Sequence, residues 1–133
     1  MKLFIDDIRP APEGWQQART VTDAIRFLSQ FEVSEISLDH DISMLVEVDG
    51  THRPFPSKET FMAVAYYICA KYWVEKKMGD GLIHTHLCEH PPKIIIHSAN
   101  PVGAENMRKL FEEHGITAII NPASRVNRLE TEI

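Results

Sequence analysis

Short apolar runs punctuate this chain, and each of them stops on polar or acidic residues. Lys2 to Ile5 is followed by Asp6-Asp7, and Glu35 to Leu38 by Asp39-His40-Asp41. Lys93 to Ile96 is followed by His97-Ser98, and Thr117 to Ile120 by Asn121. Runs of this length, rich in β-branched residues and bounded by turn formers, read as buried strands. A further brief strand is expected around Arg19. Between the strands, apolar residues return at helical spacing. Ala24, Ile25, Leu28 and Phe31 make one stripe, with Thr22 expected as N-cap and Asp23 where the helix dipole favours an anion. Phe61, Val64, Ala65, Ile68 and Tyr72 make a second, on a long helix that Ser57 would cap and that Gly79 and Gly81 would end. Met62, Tyr66, Cys69 and Trp73 give that helix a second apolar side. Gly103 to His114 makes a third, with Ala104, Met107, Leu110 and Phe111 inward and Gly115 as C′ stop.

Pro10, Pro12 and Gly14 break the chain after the first strand into a loop, "RPAPEGW", where a helix would otherwise cross. Residues 43–57, with Gly50, Pro54 and Pro56, read as a long irregular connection, and the tail 123–133 as a short helix or frayed end. Strands alternating with helices predict an open, mainly parallel α/β sheet of about five strands, with helices on both faces. Ligands of such sheets bind at the carboxyl ends of the strands.

At 133 residues the chain is expected to form a single domain, 1–133. Its formal net charge of −5 gives no bulk attraction to nucleic acid, and no duplex DNA binding is expected. A nucleotide ligand would need a local basic patch or a bound cation. Two cysteines make no disulfide framework, "MKLFID" is too short for a signal peptide, and the longest apolar run is half a membrane span. A cytoplasmic protein with no membrane partner is the expectation.

The strand ends carry the chemistry. Asp6, Asp7 and Arg9, then Asp39, His40 and Asp41, then His97, Ser98 and Asn100, then Asn121 all fall at the end where this architecture places its site. One aspartate at a strand exit needs no function, since it accepts turn N–H groups. Four strand ends behaving alike are a different matter. Carboxylates gathered in one crevice repel unless one is protonated or a cation binds. Asp6, Asp7, Asp39 and Asp41 form an oxygen-rich set suited to Mg²⁺ or Mn²⁺, while a neighbouring imidazole would shift preference towards Mn²⁺ or Zn²⁺. His40 and His97 would serve as general base and general acid, in an order left open.

Three stretches, "LFIDDIRPAP" with "GW", "SLDHDI" and "IIIHSANPVGAENM", resemble the cyclic-phosphate processing receiver domains, a divergent branch of the receiver-like (flavodoxin-like) fold. The resemblance spans residues 3 to about 122. It implies that Asp6-Asp7 hold a divalent metal, that Asp39 stands at the phosphoacceptor position and that Ser98 stands at the switch hydroxyl. The receiver's lysine after the last strand is here Asn121, followed by Pro122. That departure, with the added histidines, argues against phosphorelay. The substrate implied is a cyclic phosphodiester, at an RNA 2′,3′-cyclic end or in a cyclic nucleotide. His40, His97 and Asp39 would act on it, and Arg9, Ser98, Asn100 and Asn121 would bind it. The alternative is a non-catalytic, degenerate receiver module that binds phosphate, nucleotide or a protein.

Three other signals are weaker. His84, His86, Cys88 and His90 alternate like Zn²⁺ ligands, but at a spacing too tight to wrap a tetrahedron, so a solvated loop or edge strand is favoured. Trp15 is expected to pack its loop onto the core more than to stack on a base. His52, Arg53 and Lys58 make either a basic rim or a solvated loop.

Overall fold

The computed structural model describes residues 1–78 and 91–121. His84, His86, Cys88 and His90, the glycines at 79 and 81, and the tail 123–133 lie outside those residues.

Five strands form one parallel sheet: β1 (Lys2–Ile5), β2 (Gln16–Ala18), β3 (Glu35–Leu38), β6 (Lys93–Ile96) and β7 (Ala118–Ile120). Their spatial order is β2-β1-β3-β6-β7. Three helices connect them, α1 (Val21–Gln30), α2 (Met62–Met78) and α3 (Pro101–Glu113). The steps from β2 to β3, β3 to β6 and β6 to β7 all advance the same way across the sheet. Right-handed crossovers therefore set α1, α2 and α3 side by side on one face. Only the step from β1 to β2 runs backwards, and there the Pro-rich loop replaces a helix, as expected.

Strand alternation gives each face its own residues. Leu3, Ile5, Ile36, Leu38, Ile94 and Ile96 point to the helices and are completely or almost completely buried with Leu28, Phe61, Ile68, Met107 and Phe111. On the other face lie Phe4, Ser37 and Ile119, the last 53% exposed, and no helix covers them among the described residues. Trp15 packs edge-on against Phe4, with the Lys2 ammonium over its indole, so the first loop folds down onto this face.

Several boundaries differ from the expected ones. Thr20, not Thr22, caps α1, its hydroxyl accepting the Asp23 N–H at 3.0 Å. Val21, Ala24 and Leu28 lie on the core stripe, but the helix stops at Gln30 and Phe31 is extended (φ −129°, ψ 153°), which leaves it 49% exposed. On α2 the expected inward stripe is buried throughout, but Tyr66 faces solvent. α3 begins with Asn100 as cap and Pro101 in its first turn, and it ends where Gly115 takes φ 75°.

The largest difference is at 43–57. Instead of an irregular connection, an antiparallel ribbon runs out along β4 (Asp41–Val48) and returns along β5 (Thr51–Thr60). Asp49 and Gly50, with φ of 51° and 78°, make the two-residue turn whose twist suits a hairpin. Ser57 therefore lies in β5, where its hydroxyl bonds the Ile42 carbonyl, and Thr60 accepts the Met62 N–H at the start of α2. Pro54 and Pro56 are tolerated because both strands of a two-stranded ribbon are edges.

Candidate functional site

The register of the sheet builds the site. Ile5 pairs with Ala18 and with Leu38, Leu38 with Ile96, and Ile96 with Ile120. The next residue of each strand therefore joins one further rung. The N–H groups of Asp6, Asp39, His97 and Asn121 donate to the carbonyls of Ala18, Ile5, Leu38 and Ile96, at 2.9–3.0 Å. Asp6, Asp39 and His97 share the parity of the helix-free face, and ligand atoms of all three lie within 4.8 Å of one another. The following residues, Asp7, His40 and Ser98, turn the other way.

Asp6 is 1% exposed and held from every side. Its Oδ1 accepts the N–H groups of Ile8 (2.9 Å) and Arg9 (2.8 Å), and its Oδ2 accepts His97 Nε2 at 2.9 Å, with Arg9 Nη1 3.8 Å away. Burial pushes this carboxyl up, but the hydrogen bonds from His97, Arg9 and Ile8 and the nearby imidazole hold it below the usual value. Asp39 has fewer donors. Its Oδ1 accepts the His40 N–H, and burial, followed by the charge of Asp6, raises its pKa from 3.8 to about 6. Two carboxyls on one rung thus pull apart, one firmly ionised and one readily protonated.

His97 is enclosed. Its ring stacks on Phe4 with 4.5 Å between centroids, Ser37 Oγ lies 2.7 Å from Nδ1, and Nε2 is on Asp6. The small Ser37 on the intervening strand lets residues from β1 and β6 meet across it. Distances alone make Ser37, His97 and Asp6 a Ser-His-Asp chain. Ser37, however, is mid-strand and 7% exposed, and it lies on Nδ1, so it holds the ring and is placed to attack nothing.

His40 differs. Its Nδ1 lies 2.7 Å from Asp41 Oδ1, and no described residue bonds its Nε2. The ring rests on the first turn of α3, where Gly103 leaves room: a Cβ there would stand 2.5 Å from Nδ1. Asp41, expected to join the metal set, instead bonds His40 and the Asn100 amide, the latter at 3.3 Å. Asn100 also accepts the Gly103 N–H, and Ser98 Oγ accepts the Asn100 N–H. Arg9 Nη1 donates to the His97 carbonyl at 2.9 Å, and Asp7 Oδ2 accepts the Ser43 N–H.

A cleft of about 280 Å³ opens above these residues, lined by Asp6, Asp7, Ile8, Arg9, Asp39, Asp41, Ser43 and Ala99. Of the expected site residues, all four aspartates and Arg9 line it, while His40, His97, Ser98, Asn100 and Asn121 are not among the lining residues. A slightly larger hollow, about 350 Å³, lies where β7 begins, beside Arg108 and Glu112. That arginine is spent on Glu105 and Glu112. Oxygens are left open on Asp39, Asp7, Asp41 (Oδ2) and the remaining lone pair of Asp6, a hard donor set that fits a small divalent cation keeping several waters. Both nitrogens of His97 are already engaged. His52, Arg53 and Lys58 are exposed on the ribbon, the first two near its turn, and none of them lines the cleft.

Ser37, Phe4 and Gly103 support the site without being legible as site residues in the sequence. Only Gly103 carries a signal there, as a glycine inside a helical pattern. No described helix is long and apolar enough to cross a membrane. Comparison with curated proteins and with solved structures gives no match. A scan of family models matches residues 1–113 to the cyclic-phosphate processing receiver domain. The parallel sheet in the order expected of a receiver agrees with that match, and the chain belongs to the cyclic-phosphate processing receiver domain family.

Proposed function

We propose that this chain hydrolyses a cyclic phosphodiester, at an RNA 2′,3′-cyclic end or in a cyclic nucleotide. The observation that supports this most is the shared rung, where Asp6 and Asp39 crowd together and Asp39 is left with open oxygens and a raised pKa. Asp39, Asp7 and Asp6 would hold Mg²⁺ or Mn²⁺. Such an ion supplies positive charge to the phosphoryl oxygens, which is usually the largest catalytic contribution. A cleft lined by four carboxylates and Arg9 admits a phosphate anion poorly without it.

The two imidazoles take different parts. His40, with Nδ1 held by Asp41, has Nε2 for proton transfer. It takes a proton from the attacking water as the P–O bond forms. It returns one to the 2′- or 3′-oxygen as the ring P–O bond breaks. His97 holds Asp6 in place, and its carbonyl anchors Arg9, whose guanidinium orients the phosphate.

The non-catalytic alternative draws on one observation, that neither imidazole lines the cleft. One experiment separates the two. Incubation with 2′,3′- and 3′,5′-cyclic nucleotides and cyclic-ended RNA, with Mg²⁺, Mn²⁺ or Zn²⁺, is expected to give metal-dependent ring opening that His40→Ala abolishes. Binding with no turnover under any of these conditions would establish the alternative.

A further inference from the structure

We propose that Asn100 is a positioning residue for His40 and acts through Asp41; the proposal deepens the hydrolytic reading and rests on it for its kinetic arm. The sequence points to Asn100 as a substrate ligand, but both ends of its amide are engaged within the protein. Oδ1 accepts the Gly103 N–H at 3.0 Å, capping α3, and Nδ2 donates to Asp41 Oδ1 at 3.3 Å. That same oxygen faces His40 Nδ1 at 2.7 Å. The helix N–H can only be met by the carbonyl oxygen, so the cap dictates which way the amide points. Its NH₂ is thereby aimed at Asp41.

Asp41 is 52% exposed and would otherwise turn among several rotamers. With one oxygen held by Asn100, it keeps its lone pair on the His40 ring. The proton then stays on Nδ1 and the lone pair on Nε2, the tautomer a general base needs. Gly103 completes the arrangement by leaving its space to the ring. One side chain thus joins the helix cap to the base.

Asn100→Asp and Asn100→Ser test this, because both residues cap helices well but neither can donate an amide N–H to Asp41. Circular dichroism and melting are expected to show α3 and the fold intact. Nitrogen-15 spectra at alkaline pH, where an imidazole is neutral, are expected to show the wild-type His40 proton on Nδ1. In both variants the two ring-nitrogen signals should move towards each other as the second tautomer gains. With a 2′,3′-cyclic nucleotide, kcat should fall about tenfold with KM within about twofold, as loss of a charge-assisted hydrogen bond implies. Unchanged ring signals in both folded variants would overturn the proposal whatever the turnover. The ring measurement needs no substrate, so an inactive wild type would count against hydrolysis and leave the expected shift to be read.

Discussion

Asp39 and Asp6 share a rung but answer to pH in opposite directions. Asp39 sits at about 6 instead of 3.8 because of burial and then the charge of Asp6. A carboxyl raised by folding contributes its stability fully below the unfolded value and loses it as pH climbs through the folded one. Asp6 is lowered, so its contribution is present above the unfolded value and lost as pH falls. Asp39→Asn removes the first effect and relieves Asp6 of a neighbouring charge. The variant is expected to melt roughly 10 °C above wild type at pH 7, equivalent to about 3 kcal/mol, with the gap closing near pH 4. Equal melting temperatures at pH 7 would show that Asp39 ionises without strain. Gly103 is the second residue with a sharp expectation. Alanine is the better helix former by about 1 kcal/mol, so a glycine here runs against local preference. Its Cβ would drive the His40 ring off Asp41. Gly103→Ala should therefore melt close to wild type yet lose at least about tenfold in kcat, and full activity would show that the ring is not needed where it rests.

Among the elements, those made of unbroken apolar runs are legible in the sequence alone, because burial on both sides of a strand leaves little choice of residue. β6 is the clearest example. The ribbon is not legible in that way, although Asp49-Gly50 between alternating residues is a hairpin signature. Pro54 and Pro56 outweigh it, since proline argues against a strand unless the strand is an edge. The residues at strand ends can be named from sequence, but not the way each one turns. That depends on rung parity and on partners far along the chain, such as the Asp6 that encloses His97. For the same reason the sequence points Asn100 at substrate and Asp41 at a metal without showing that the two bond each other. The ribbon also has an independent stability. No other described element packs extensively on β4 or β5, and two strands alone are marginal in water. Gly50→Ala, forcing a side chain into φ 78°, should speed amide exchange along residues 44–57 by about fivefold while the global melting temperature moves by less than about 2 °C. A cooperative loss of the whole fold would show that ribbon and sheet are one unit.

For the whole molecule, the acidic cleft is a store of unfavourable charge that a cation would relieve. Mg²⁺ at about ten times its dissociation constant should stabilise the fold by about 1.4 kcal/mol, a rise of roughly 3–5 °C at pH 7. Asp39→Asn should lose most of that rise while keeping its own higher starting point, so the two melting curves converge as the ion is added. No shift with Mg²⁺, Mn²⁺ or Zn²⁺ would remove the metal from the proposed function. All four site aspartates line this one cleft, so the effect should weaken as salt screens them.

The common rung has one more implication, for how chemistry could change on this scaffold. Whatever residue follows Ile5, Leu38, Ile96 or Ile120 arrives beside its neighbours, because the ladder and not the side chain decides the address. A lysine written at position 121 would land next to His97 with no remodelling of the strands. New reactivity could therefore be acquired by spelling changes at four letters, with the architecture beneath them left as it stands.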